Sequence, residues 1–220
     1  MGDTETFSLK VTNRSDNPDL TFGLYTVAPI ADAHGRFPIA WQAQPLNKGN
    51  SITFSWKLEF ALLFSAQGSK SGATWVEQGD PVVVSDGSSA TNTTQLSFDR
   101  DYNLNLLPSG RPVVPGEVFM ETTSTVPHWS ADNGPSVALA IATGDGKLVP
   151  AIAGNSGPNL THKFDLHPTY YLRAGDITVG VMADLDTVTD GQKVVFAGGS
   201  RYAAYIFNED NEWVPDTSPH

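Results

Sequence analysis

The chain has 220 residues, 40% of them hydrophobic and 17% charged, with 24 acidic side chains against 13 basic ones and a formal net charge of -11. So negative a surface repels phosphate backbones, and no run of Lys and Arg interrupts it, which excludes nucleic acid and anionic membranes as partners. There is no cysteine, so disulfides, zinc–thiolate sites, iron–sulfur clusters and cysteine nucleophiles are excluded; a chain of this size instead buries about 70% of its unfolded surface in an ordinary core.

The opening, MGDTETFSLK, has no basic start and no apolar run, so it does not read as a secretory signal. Gly2 with Thr6 fits a myristoylation pattern formally, but acidic neighbours and the lack of a basic patch argue against it. Phe7, Leu9 and Val11 alternate with Ser8, Lys10 and Thr12, which predicts a first strand. Residues 13–18 (NRSDNP) carry turn chemistry, and Leu20, Phe22 and Leu24 resume the alternation. Residues 28–40 read as a loop leading to Trp41, and 47–50 (NKGN) as a turn.

The longest signal follows. Ile52, Phe54, Trp56, Leu58, Phe60, Leu62 and Phe64 occupy every second position, mostly between polar or small residues. Side chains alternate across a strand, so this is one apolar and one mostly polar face; a helix would scatter the same residues around its circumference. Thirteen residues at about 3.3 Å each reach roughly 43 Å, well beyond a common strand of about 5–6 residues. The stretch is therefore expected to bend, bulge or pass between sheets, with a helical turn admissible at residues 61–65, where Leu62 and Leu63 break the alternation.

Beyond it, 66–73 reads as a loop, 74–77 as a short strand, 78–81 (QGDP) as a turn and 82–85 as a strand. Residues 86–92 are loop-like; 95–99 and 102–107 read as strands; the Pro-rich 108–116 is a connection. Strands are expected at 118–124, 137–142, 147–150, 160–166, 170–173, 177–182, 193–197 and 203–207, with GDG at 144–146 as a hairpin signal. Turn signals recur every 8–12 residues or so. The fold class is all-β: an antiparallel β-sandwich or flattened barrel with long loops and little or no helix, read as one domain over residues 1–220. No stretch of about 18 apolar residues is long enough to span a membrane.

The candidate chemistry is sparse. Residues 154–158 (GNSGP) resemble the nucleophile loop of trypsin-like proteases, but the sequences around His34 and His128 do not look like that family's base motif, and Gly-rich turns make such strings by chance. Of His162, Asp165 and His167, strand geometry puts the last two on one face and His162 on the other. Three ligands do not converge on a metal from there, although Asp165 and His167 are spaced to hydrogen-bond. Residues 184–191 (DLDTVTDG) alternate carboxylates in a way that admits calcium, but Val188 stands where a ligand is needed, so a solvated acidic hairpin turn is the simpler reading and no cofactor is required. The N-x-S/T triplets at Asn13, Asn92 and Asn159 carry no weight without a signal peptide.

The aromatic residues are the best binding candidates. Trp41, Trp75 and Trp129 border loops, and Tyr170 and Tyr171 straddle a strand so that one ring must face outward. Rings beside Asp, Asn and Gln are how sugar sites are assembled: the apolar face of the sugar stacks on a ring while its hydroxyls find polar partners. The competing reading is that these rings cap the open ends of a sandwich.

Phe7 to Asn13 (FSLKVTN), Leu24–Tyr25, Ala40–Trp41 and Ile52 to Gly68 (ITFSWKLEFALLFSAQG), with Phe164 to Tyr171 (FDLHPTYY), resemble the RhiA-like rhizosphere-expressed proteins of rhizobia and their relatives. The likeness covers the first third and the last quarter of the chain. It implies a setting of bacterial life near plant roots with cell-density-controlled expression, and it carries over no catalytic residue. Together these readings favour a non-catalytic, lectin-like binding protein for a carbohydrate or another protein. A self-associating assembly protein is the alternative, and a hydrolase using His128 with Asp132 a weaker one. The cysteine-free, leaderless chain is expected to stay in the cytoplasm or to leave without a conventional signal peptide.

Overall fold

In the computed structural model, which describes residues 6–31, 33–84, 92–99, 104–108, 114–129 and 134–217, the alternating stretch is one fifteen-residue strand. In chain order the strands are β1 (Thr6–Asn13), β2 (Thr21–Val27), β3 (Ile30–Ala31), β4 (His34–Pro38), β5 (Gln42–Pro45), β6 (Ser51–Ser65), β7 (Gln78–Val84), β8 (Thr93–Phe98) and β9 (Leu104–Pro108). They continue as β10 (Glu117–Thr122), β11 (Ser136–Thr143), β12 (Leu148–Asn155), β13 (Thr161–Asp165) and β14 (Thr169–Gly175). A short helix, α1 (Leu185–Thr189), precedes β15 (Gln192–Lys193), a 3-10 turn (Ala197–Gly199), β16 (Tyr202–Phe207) and β17 (Trp213–Pro215).

These strands form three sheets. The largest runs β17-β16-β1-β6-β11-β12-β4, with β7 also on β6; the others run β3-β13-β10-β8-β9 and β15-β14-β2-β5. The all-β reading holds. Most pairs are antiparallel, but β1 lies parallel to β16 and β8 parallel to β10.

The length of β6 has a simple cause: it serves several partners. One edge pairs with β1 along residues 51–57 and with β7 along 60–64, while the other edge pairs with β11. The register against β11 slips so that Leu58 and Glu59 have no partner there. This expected bulge turns Leu58 out to 43% exposure, alone among the alternating apolar residues.

Past the bulge both faces of β6 are buried. Phe54, Trp56, Phe60, Leu62 and Phe64 face the main core, where they meet Phe22, Leu24 and Leu172 of one smaller sheet and Leu96, Met120 and Phe164 of the other. Ala61 and Leu63 point to the opposite face, which is paved with Ala138, Ala140 and Ala153 and covered by Ile39, Trp75 and Met182. Alanine is short enough for a cover of loops to lie flat on the sheet. That cover is a ribbon: segment 180–183 hydrogen-bonds residues 38–40 on one side and 72–75 on the other.

A third, small cluster sits on the outer face of the β2–β14 pair. Tyr25 opposes Tyr171 and Gly23 opposes Arg173 in that ladder. A Cβ on Gly23 would lie 2.8 Å from Ile177 Cγ2, so it is the missing side chain that lets Ile177 fold onto the sheet. Val188 of α1 and Ala40 complete the cluster with Tyr25.

Between the large sheet and β14 stands an aromatic stack. Trp56 has its ring centroid 5.7 Å from Trp41, 4.8 Å from Tyr170 and 5.9 Å from both Phe7 and Phe196. The Trp41 and Trp56 indole N–H groups and the Tyr170 hydroxyl are buried with no hydrogen-bond partner among the described residues; the Trp56 N–H faces the Tyr170 hydroxyl but misses hydrogen-bonding geometry.

Several local expectations are corrected. Residues 61–65 stay extended, because β7 and β11 hold both edges there. The expected turn at 78–81 is the start of β7, and Thr74 makes only an isolated bridge. The acidic hairpin turn at 184–191 is α1 and its flanks: Asp190 N–H bonds back to Asp186 O, and burial of Val188 fixes the turn to the sheet. The expected strands at 177–182 and 193–197 shrink to bridges at Val181 and Met182 and to β15. Residues 86–91 and Gly2 lie outside the described residues.

Leu62→Ala is expected to cost about 2–5 kcal/mol by leaving a core cavity, and Leu58→Ala less than about 1 kcal/mol, as read by urea denaturation. By the same measurement Tyr170→Phe, which removes a buried hydroxyl with no hydrogen-bond partner among the described residues, should be neutral or stabilising. Trp75→Phe, which breaks a buried hydrogen bond, should cost at least about 1 kcal/mol.

Candidate functional site

The five aromatic candidates separate. Trp41 and Trp75 line one cleft; Tyr170 meets Trp41 only through the aromatic stack, with ring centroids 6.4 Å apart, and Tyr171 and Trp129 do not line that cleft. Trp41 follows β4, and its N–H bonds Leu24 O, which sets it at the junction of the β2 sheet and the cover ribbon. Trp75 is held through its own N–H to Gly180 O and through its indole Nε1–H, which donates to Ser136 Oγ at 2.9 Å. Ser136 in turn donates to Gln67 O, so the indole is fixed to both β11 and the loop after β6.

The two indoles line one cleft of about 270 Å³, walled also by Glu77, Lys147, Pro150 and Val179. Trp41 is 2% exposed and Trp75 5%, so each shows only a strip of ring at the floor. The polar walls reach solvent. Partial burial, helped by nearby Asp80, holds the Glu77 carboxyl above its ordinary value. Lys147 makes no ion pair among the described residues. The cleft therefore offers an apolar floor, one carboxylate and one ammonium. Glu77 and Lys147 were not singled out from the sequence; neither sits in a motif, and only the fold brings them to the tryptophans.

Tyr170 is 93% covered by its own stack and borders a separate groove of about 320 Å³ formed by Phe7, Leu58, Leu166, Pro168, Val194 and Phe196. Burial pushes its hydroxyl far above the usual tyrosine value. Tyr171 lies half-buried on the opposite face of β14, beside the Tyr25 cluster. Trp129 is 36% exposed and packs near Gly68, where an added Cβ would come within 3.3 Å of its Nε1.

The other sequence motifs serve the fold. Ser156 Oγ of the GNSGP stretch lies 2.7 Å from His162 Nε2 of β13, a serine–imidazole pair, but both residues are 0% exposed. A nucleophile must meet its substrate, and this pair instead ties the loop after β12 to β13. Asp165 and His167 do hold each other: Asp165 Oδ1 accepts from the His167 backbone N–H at 2.8 Å and lies 3.0 Å from Nδ1. Asp184 is engaged by the Ser71 hydroxyl, and no group of three His, Asp or Glu among the described residues is placed to hold a metal ion. Asn13 and Asn92 are buried, which closes those two triplets to a glycan. Asp132, the partner proposed for His128, lies outside the described residues. No helix among the described residues is long and apolar enough to cross a membrane.

Comparison with known proteins extends the resemblance through the middle of the chain. No solved structure matches it. Protein RhiA of Rhizobium leguminosarum bv. viciae is 30% identical over 211 residues, which cover 94% of this chain and 84% of that protein. The RhiA family model matches residues 4–216, from β1 through β17. This chain is a member of the RhiA family.

Proposed function

We propose that this protein is a non-catalytic binding protein whose ligand is a carbohydrate ring held in the Trp41–Trp75 cleft. The observation that carries the reading is the convergence of two indoles, from segments far apart in the chain, on one cleft that also presents Glu77 and Lys147. The indole strips and Pro150 supply an apolar floor for the C–H face of a sugar, and the charged walls supply hydrogen bonds to hydroxyls. The volume of about 270 Å³ suits one or two sugar units.

Titration of the intrinsic tryptophan fluorescence with a panel of mono- and disaccharides is expected to give a saturable change for at least one sugar. Glu77→Gln should weaken that sugar at least about tenfold, the loss of one charged hydrogen bond. Silence across the panel, or binding unmoved by both Glu77→Gln and Trp75→Phe, overturns the reading.

The pH dependence has a defined sign. A carboxyl raised above 4.5 in the folded state is protonated more readily there than in the unfolded chain, so its contribution favours the fold at low pH and is lost as pH rises through the folded value. Ligand binding runs the other way. The ionised carboxylate is the better acceptor, so affinity should rise with pH through a midpoint above 4.5.

Self-association has one observation in its favour: the exposed Leu58 at the rim of the Tyr170 groove. Light scattering decides it. A mass that grows with concentration and reverts with Leu58→Glu supports it, and a constant monomer mass removes it.

A further inference from the structure

A second cavity, of about 230 Å³, lies across the cover ribbon from the tryptophan cleft and is lined by Tyr25, Ser71, Arg173, Asp176, Asp184 and Thr187 among others. Its charges are unusually arranged. The chain carries nearly twice as many acids as bases, yet Arg173 is half-buried with no ion pair among the described residues. Two carboxylates line the same cavity as that guanidinium without closing on it. Opposite charges held apart across a small cavity leave a gap for a ligand that carries both signs.

The floor supports this. Tyr25 is only 4% exposed, lines the cavity, and makes no hydrogen bond to a described residue through its hydroxyl. In the β2–β14 ladder it is the diagonal neighbour of Arg173 on one face, because Tyr25 opposes Tyr171 and Gly23 opposes Arg173. A guanidinium fork beside a phenol presents donors to one carboxylate group. Burial raises the phenol's pKa although Arg173 pulls it down, so the hydroxyl keeps its proton to donate at neutral pH. On the same cavity, Asp184 accepts from the Ser71 hydroxyl at 2.9 Å, which orients the carboxylate. Ile177, folded over Gly23, and Met182 form the apolar remainder of the wall.

We propose that this cavity binds a free α-amino acid, its carboxylate held by Arg173 and Tyr25 and its ammonium by Asp184 and Asp176. The guanidinium can pair with a ligand carboxylate and the two carboxylates with its ammonium, so the cavity calls for a ligand that bears both groups.

Isothermal titration calorimetry of the full chain with the individual proteinogenic amino acids at pH 7 tests it. At least one should bind, and its N-acetyl and methyl-ester derivatives should each bind at least about tenfold more weakly, because each removes one of the two charges. Arg173→Gln should weaken the free amino acid at least about tenfold and Tyr25→Phe by a smaller factor, with far-UV circular dichroism unchanged. Should Arg173→Gln disturb the fold, Asp176→Asn on the exposed rim and the blocked ligands carry the test alone. No heat with any amino acid at millimolar concentration overturns the proposal. So does binding that survives acetylation, esterification or loss of Arg173. Trp75→Phe should leave this binding unchanged, so the proposal and the carbohydrate reading fail separately.

Discussion

Strand β6 must satisfy two edges and, beyond its bulge, two faces. An extended backbone buried on both sides has no water to turn to, so each N–H and C=O needs a neighbouring strand. β1, β7 and β11 meet that need in relay, and the slip at Leu58 and Glu59 falls where β1 hands over to β7. Both faces of β6 support what packs on them. Its even-numbered side chains hold up the aromatic stack, and Ala61 on the other face, beside the alanines of β11 and β12, lets the 180–183 ribbon lie close.

That ribbon is the element the two candidate sites share. The tryptophan cleft borders it at Val179 and Gly180, the Arg173 cavity at Val181 through Asp184. It is held by backbone hydrogen bonds to two other loops rather than by membership of a sheet, so it is locally ordered but weakly buttressed. Charge adds little to stability. The ion pairs among the described residues are largely exposed, as at Lys48, where Asp16 and Glu209 converge, and such pairs contribute little in water. Apolar burial stabilises the fold, and the excess of carboxylates remains on the surface.

The class of fold was legible in the two-residue rhythm of Phe7 to Val11 and Ile52 to Phe64, because that rhythm is itself the geometry of a half-buried strand. What covers the second face of a strand was not. Ala61, Ala138 and Ala140 read equally well as exposed or covered, and the sequence around them does not name the loop that lands there. Trp41 and Trp75 carried the signal of loop-borne aromatics, but a tryptophan beside a loop looks the same whether the loop stands out or folds back. Here both fold back, and the charged partners come from Glu77 and Lys147, seventy residues apart. Arg173 was hidden for a related reason. It follows Tyr171 on the outward face of β14, and the residues that line a cavity with it come from other segments, Tyr25, Ser71 and Asp184 among them. The helix at 185–189 is a single turn, too short for any periodicity to show.

The pairing of β1 with β16 has a consequence for biosynthesis. The first strand is completed along one side by residues at 202–207, so its hydrogen-bonding groups on that side stay open until those residues have emerged. Contacts of such long sequence separation slow folding and prolong exposure of an unpaired strand. A nascent chain of this protein depends on residues 202–207 to close its oldest edge, and a ribosome that stalls short of them leaves that edge free to capture a neighbour.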